Sequence, residues 1–223
     1  MNQKISVIIP IKGKEPMLKR VLQNIPAEHE IIIAGNKQDI NESVQNLPTQ
    51  AKRVFVESGI RSELFNKGVE KAKGDIFLFL HPDTLIDTNV FEQIKKLPKQ
   101  YKGGGIDIHF DDENSILKMI AWGSNKIRMR FFHIIYGDQS LFVRRDVFFF
   151  LNCYKEMVLF EDFDFSQRLK SVKGKLLFLK TGTTSARRFL RTGIVRQMLR
   201  NWYLVLLYLS GVSDKELKER YEK

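Results

Sequence analysis

The stretch Arg61–Thr84, RSELFNKGVEKAKGDIFLFLHPDT, holds a helix, a turn and a strand in succession. Ser62 reads as an N-cap, Leu64, Phe65, Val69 and Ala72 form an apolar stripe at helical spacing, and Gly74 is placed to end the helix. Ile76–Leu80 (IFLFL) then runs apolar without alternation, as a strand buried on both faces does. It delivers His81-Pro82-Asp83-Thr84 at its carboxyl tip. Upstream, Ile5–Pro10 (ISVIIP), Glu30–Ala34 (EIIIA) and Arg53–Glu57 (RVFVE) have the same character, with helix-like stretches at Glu15–Asn24 and, more weakly, Asn41–Asn46. Strand–helix–strand repetition at this spacing implies right-handed crossovers and an α/β fold, a mostly parallel central sheet with helices on both faces.

Downstream the pattern is less regular. A helix over Thr88–Leu97 stops before Pro98, which disfavours helical backbone in the residue preceding it. GGGIDIHF (Gly103–Phe110) and a Phe- and Arg-rich stretch, Trp122–Tyr136, follow. Ser140–Arg144 reads as a strand, Phe160–Ser171 as a helix and Leu176–Leu179 as a short strand. Phe189–Leu209 reads as one long basic–apolar helix, and Asp214–Glu222 as a charged terminal helix. One compact domain with a helical tail accounts for the whole.

Composition bounds the function. Of 223 residues, 43% are hydrophobic and 17 are Phe, which supports a sizeable core and excludes a solvated coil. The single cysteine, Cys153, excludes an intramolecular disulfide framework and a Cys-cluster zinc site, and places the chain in a reducing compartment. A net charge of +11 attracts polyanions, whether nucleic acid, nucleotide phosphate or anionic membrane. The N-terminus lacks the pattern of a signal peptide, and the longest apolar run, Trp202–Leu209, is too short for a membrane span. The expectation is a cytoplasmic protein, soluble or peripheral at the inner face of the membrane.

Open α/β sheets bind ligands beyond the carboxyl ends of their strands. Lys12, Gly13 and Lys14 follow the first strand, Gly35 and Asn36 the second, and Ser58, Gly59 and Arg61 the third. Asp83 after the fourth reads either as a turn residue or as an oxygen ligand for Mg or Mn at a diphosphate. Glu161 and Asp162 read either as acids favoured by a helix N-terminus or as a general base. Arg187 and Arg188, beside Thr184 and Ser185, read either as a solvated helix start or as bidentate phosphate contacts. His29, His109 and His133 lie apart without ligand spacing and read as surface or packing residues. Cys153 reads as a small buried apolar one.

These clusters, in this order, resemble GT-A-fold glycosyltransferases of family 2, and more closely a bacterial branch of small enzymes within it. The matching stretches are ISVIIP, RSELFNKGVEKAKGDIFLFLHPDT, YGDQSLFVRRDVF, LFEDFDFSQRLK and TSARRF followed by Asn201-Trp202. The resemblance implies a Rossmann-like nucleotide-diphospho-sugar transferase fold in which residues 1–100 bind nucleotide, 101–185 carry acceptor and catalysis, and 186–223 form the tail. It matches Asp83 to the metal-binding acid, with Mn or Mg as cofactor, and His81 to a position where many relatives place another Asp. Pro10 falls at the nucleotide-binding edge, Arg61 and Asn66 on a helix facing nucleotide and sugar, and Asp138 and Gln139 in a loop near the reacting sugars. Asp162, with Glu161 beside it, matches the catalytic base, and Arg187 and Arg188 the diphosphate-holding motif. The implied reaction is inverting transfer from a UDP- or GDP-type sugar to an acceptor the sequence does not name. The chain departs from the family pattern at Ala34, where relatives carry an acid, at Gly13-Lys14 in place of an Asn-Glu pair, and at Phe189 in place of Trp.

Three rival readings remain. A nucleotidyltransferase of similar architecture would carry a glycine-rich phosphate loop after the first strand, of which Lys12-Gly13-Lys14 is a thin version. A non-catalytic, repurposed sugar-nucleotide-binding relative is motivated by Ala34. Nucleic-acid binding lacks any helix-turn-helix, zinc or RNA-binding signature, and nucleic acid is not expected as a partner. For the tail, the arginines ahead of NWYLVLLYL fit contact with an anionic membrane, whereas the helical spacing of Trp202, Val205, Leu206 and Leu209 fits packing on the domain, the preferred expectation.

Overall fold

The computed structural model describes residues 3–44, 51–57 and 59–222. Its strands are β1 (Ile5–Ile11), β2 (Glu30–Gly35), β3 (Lys52–Phe55), β4 (Ile76–Phe79), β5 (Thr84–Ile86), β6 (Tyr101–Phe110), β7 (Phe142–Arg144) and β8 (Lys175–Thr184). They form one sheet in the order β3-β2-β1-β4-β7-β6-β8-β5. The pairs β1–β2, β2–β3, β1–β4 and β6–β8 are parallel, while β4–β7, β6–β7 and β5–β8 are antiparallel. The first half of the chain thus builds the parallel part, with Ile8 in register with both Ile32 and Phe79. The second half adds the antiparallel connections.

Ten helices are described: α1 (Leu18–Asn24), α2 (Lys37–Val44), α3 (Arg61–Glu70), α4 (Thr88–Lys95), α5 (Ser115–Gly123), α6 (Arg145–Phe150), α7 (Glu161–Ser171), α8 (Arg187–Thr192), α9 (Ile194–Leu209) and α10 (Asp214–Glu222). A π-helical segment, Ser124–Phe131, continues α5, and Gly137–Gln139 forms a 3₁₀ turn. Alternate residues of β1 serve two cores. Ile5, Val7, Ile9 and Ile11 pack with Leu18 and Val21 of α1 and with Phe91 and Ile94 of α4. On the other face Ile8 packs with Phe65 and Val69 of α3, Phe148 of α6, and Phe165 and Leu169 of α7. This is why the central strands read as unbroken apolar runs: both faces are covered.

Several local expectations change. The N-cap of α3 is Ile60, not Ser62. The Ser62 hydroxyl instead bridges the backbone at Met157, donating to its carbonyl at 3.1 Å and accepting from its amide at 3.2 Å. Helix α3 ends at Glu70, before Gly74, whose amide donates to Ser6 Oγ at 2.8 Å where the chain enters β4. Thr84 closes a turn, its amide donating to His81 O at 3.2 Å, and also opens β5 against β8, so Asp83 is held between two strands. GGGIDIHF is the interior of a ten-residue strand. The expected helix Asn41–Asn46 begins earlier, at Lys37, and its last two residues, like Ser58, lie outside the described residues.

The expected helix Phe189–Leu209 is two helices. Gly193, at φ +90, sits between α8 and α9 in a backbone conformation that residues with a Cβ rarely adopt. Nor do most of the residues expected to pack on the domain do so, although Val205 is half-buried. Trp202, Leu206 and Leu209 are exposed, and only Gln197 and Leu204 of α9 are buried. Cys153 is half-buried rather than buried. His29 does pack, stacked on Phe91 at 5.2 Å. Among the described residues no helix is long and apolar enough to cross a membrane.

Candidate active site

Strands β2 and β3 extend the sheet to one side of β1, and β4 lies on the other. The strand order therefore reverses between β1 and β4, where α/β sheets open a crevice. A cavity of about 600 Å³ occupies that place. Pro10 and Lys12 at the end of β1, Gly59 and Arg61 at the entry to α3, and His81 and Asp83 after β4 line its sheet side. The tail closes the other side with Arg187, Arg188 and Arg191 from α8, Gln197 and Arg200 from α9, and Tyr221 from α10. Residues drawn from both ends of the sequence thus form one chamber, anionic at Asp83 and cationic along the tail.

Asp83 is gripped on one oxygen. Its Oδ1 lies 2.5 Å from His81 Nδ1 and 3.4 Å from Thr84 Oγ1. Burial alone would push this carboxyl up, but the hydrogen bond and charge of His81, aided by Thr84 and Arg187, hold it below the ordinary carboxylate range. Glu15, on the same cavity, is pushed up by burial and by the nearby Asp83, with His81 and Arg187 opposing.

Arg61 joins this chamber to the second acidic cluster. Its Nε donates to Glu161, and its Nη2 lies 3.2 Å from Asp162 Oδ2. Asp162 Oδ2 also accepts from the Gly137 amide at 2.8 Å, and its Oδ1 accepts from the Phe163 amide at 2.8 Å. Phe160, just before α7, takes a left-handed backbone at φ +66, strain that an aromatic residue bears only where packing enforces it. Its ring lies 4.8 Å from Tyr208 of α9, so the tail helps to hold the acidic turn. Glu161 is 1% exposed and its Oε2 finds no partner among the described residues. Burial pushes its carboxyl up, against the pull of Arg61. A Cβ on Gly137 would lie 3.0 Å from Arg61 Nη1, so a larger residue there would press on the guanidinium that holds the two acids.

Other expected site residues are engaged elsewhere. Asn66 spends its amide on the backbone of Tyr154, donating to the carbonyl at 2.8 Å and accepting from the amide at 3.1 Å. Gln139 is fully buried, its Oε1 accepting from Arg128 at 3.0 Å and its Nε2 donating to Ser124 O at 3.2 Å, which ties the π-helical segment to the 3₁₀ turn. Asp138 faces Arg128 at 3.5 Å. Desolvation pushes its carboxyl up, with Arg128 opposing and Asp162 adding to the rise. Ala34 is wholly buried with Val56 and Leu64, so no carboxylate stands there. The next acid in the chain, Asp39, turns back to Asn36, whose Oδ1 accepts its amide and whose Nδ2 donates to its Oδ2, both at 2.7 Å.

Among the described residues no three His, Cys, Asp or Glu side chains gather into a metal-binding group. The chamber still fits a hard divalent ion of the kind that keeps its waters and takes one or two protein carboxylates together with substrate phosphates. Asp83 is an ionised oxygen donor at its edge, and the arginine wall opposite can receive the phosphates.

A strand-end acid and an arginine wall face each other across a switch-point cavity in a mixed α/β sheet of GT-A type. The chain belongs to glycosyl transferase family 2, whose family model matches residues 6–159. Its fold is shared with the mannosyltransferase PcManGT from Pyrobaculum calidifontis, solved in complex with GDP-Man and Mn2+: 11% identity, TM-score 0.63, covering 83% of this chain and 57% of that one. It is shared also with S. aureus TarS 1-349, at 14% identity and TM-score 0.63 over 97% of this chain and 69% of that one. The TarS complex with UDP-GlcNAc aligns at 16% identity and TM-score 0.62, over 82% of this chain and 58% of that one. This chain therefore spans between 57% and 69% of the length of these structures. A search of curated proteins returned no match.

The sequence reading missed Glu15, Gln197 and Tyr221 as cavity residues and did not assign Arg191 and Arg200 to the same wall. The arginines carried a usable signal, since positions 187, 188 and 191 fall within one helical turn. Tyr221 carried none. It sits in a charged terminal helix, and Arg188 and Arg200 lie 4.8 Å and 5.7 Å from its ring.

Proposed function

We propose that the protein is an inverting glycosyltransferase that moves a sugar from a UDP- or GDP-type donor to an acceptor hydroxyl. One observation carries the reading: the arginine wall and Asp83 share a cavity with Arg61, and Arg61 holds Asp162 on its other side. A phosphate-binding surface and a candidate base are thereby joined by one side chain. The donor's diphosphate lies along Arg187 and Arg188, within the nucleotide-binding half formed by residues 1–100 and the tail. Asp83 would hold a divalent ion, which when bound would supply charge neutralisation at the leaving group. The acceptor oxygen attacks the anomeric carbon from the face opposite the diphosphate, the bond to the diphosphate breaks, and Asp162 receives the acceptor proton. Arg61 and the Gly137 amide hold Asp162 oriented before that transfer, while Glu161 anchors the other side of Arg61.

The test is calorimetric titration with nucleoside diphosphates and their sugars, first with Mn and then with chelator. Binding that chelation and Asp83→Ala each weaken by at least about tenfold supports the reading. Absence of binding to every nucleotide refutes it. Ala34 favours one second reading, a relative that binds sugar nucleotide without transferring, because the buried alanine removes a carboxylate where relatives carry one. Nucleotide-sugar binding with no turnover across hydroxyl acceptors or water selects that reading.

A further inference from the structure

Helix α9 has two faces with opposite duties. Gln197 and Arg200 line the cavity, Leu204 is buried, and Tyr208 packs on Phe160 and Phe163. On the other face Val195, Leu199, Trp202, Leu206 and Leu209 recur at alternating steps of four and three, and each is between 50% and 67% exposed. A helix of α9's 16 residues is about 24 Å long, so the stripe is a continuous apolar ridge. Ridges of this kind on a soluble surface mark an interaction site.

The charge around the ridge chooses the occupant. From Arg187 to Ser213 the chain carries no Asp or Glu and five arginines, of which Arg187, Arg188, Arg191 and Arg200 line the cavity and Arg196 does not. A second copy docked on the ridge would bring two such segments together, on two molecules of net charge +11 each. An anionic bilayer reverses the sign of that interaction, and Trp202 with the neighbouring Tyr203 suits the headgroup boundary, where amphipathic rings are favoured.

We propose that the outward face of α9 docks the protein on an anionic lipid surface. The helix lies in the plane of the headgroups, with Trp202, Leu199 and Leu206 entering the acyl boundary and Arg196, which does not line the cavity, meeting lipid phosphates. Because the opposite face of the same helix closes the cavity, docking sets the cavity about one helix diameter from the headgroups.

Trp122→Phe leaves Trp202 as the sole tryptophan of this chain. The test uses this full-length variant with vesicles of phosphatidylcholine alone and of phosphatidylcholine with about a third phosphatidylglycerol. Docking predicts co-sedimentation with the anionic vesicles at low salt, a blue shift of Trp202 emission on binding, and loss of binding as salt rises. Leu199→Glu with Leu206→Glu should weaken vesicle binding by roughly tenfold or more while circular dichroism and nucleotide titration stay as in the parent. No binding to anionic vesicles at low salt overturns the proposal, as does binding that the double substitution leaves intact. A lipid-free, concentration-dependent dimer that the double substitution dissolves also overturns it and assigns the ridge to a second copy.

Discussion

Asp162 and Glu161 are neighbours in sequence with different surroundings, and their substitutions should separate. Asp162 takes three hydrogen bonds, from Arg61, Gly137 and Phe163, which fix its orientation as a base requires. Asp162→Asn should lower kcat by about 10²- to 10⁴-fold while donor affinity changes little, measured by steady-state transfer kinetics beside calorimetry. Glu161 is a buried anion whose compensation comes from Arg61. Arg61→Met strands it, and chemical denaturation should show a loss of about 3 kcal/mol, of which adding Glu161→Gln restores most. A single variant that is as stable as the parent would show that the ion pair adds nothing to the fold. His29 gives a pH signature. Burial lowers its pKa, and its Nε2 is buried without a partner among the described residues, so the unfolded chain binds the proton more readily than the folded one. This contribution to stability is complete above about pH 6.5 and is lost as pH falls from there through the lower folded pKa. Melting temperatures at pH 7.5 and 5.5 should therefore differ more in the parent than in His29→Phe, which keeps the stack on Phe91.

At the scale of elements, the break at Gly193 lets α8 present arginines to the cavity while α9 runs across the acidic turn. Gly193→Ala forces a side chain into φ near +90, at a cost of about 1–3 kcal/mol, and should lower both the melting temperature and donor affinity. A variant that melts lower yet binds donor as before would show that the break does not position the arginines. Strands and helices buried on their expected faces were legible from periodicity alone: β1, β2, β4, α7 and α10 lie within a residue or so of their reading. The α8–α9 break was not, because the basic–apolar pattern runs on through Gly193, and Gly193 with the β-branched Thr192, Ile194 and Val195 beside it lowers helix propensity without fixing a break. Strand β5 was hidden as well, since three residues after a turn carry no period and pair only because β8 lies beside them.

For the whole molecule, the sequence alone determined an α/β sheet with its parallel half first, the position of Asp83 at a strand tip, and the family. Each follows from local order: apolar runs mark doubly buried strands, and a residue's place after a strand fixes which end of the sheet it occupies. Pro10, Arg61, His81 and Asp83 could be named for that reason, Arg187 and Arg188 as paired arginines beside hydroxyls, and all six line one cavity. Tertiary structure decided the rest. The pairing of Arg61 with Glu161 joins residues 100 positions apart, Tyr221 reaches the cavity from the far end of the chain, and Asn66 and Gln139 turn to backbone and interior partners. The outward face of α9 belongs here too, since a helix apolar nearly all round does not declare which side the domain will cover. Such contacts depend on how elements pack across long separations, and a periodicity set by the nearest few residues does not encode that.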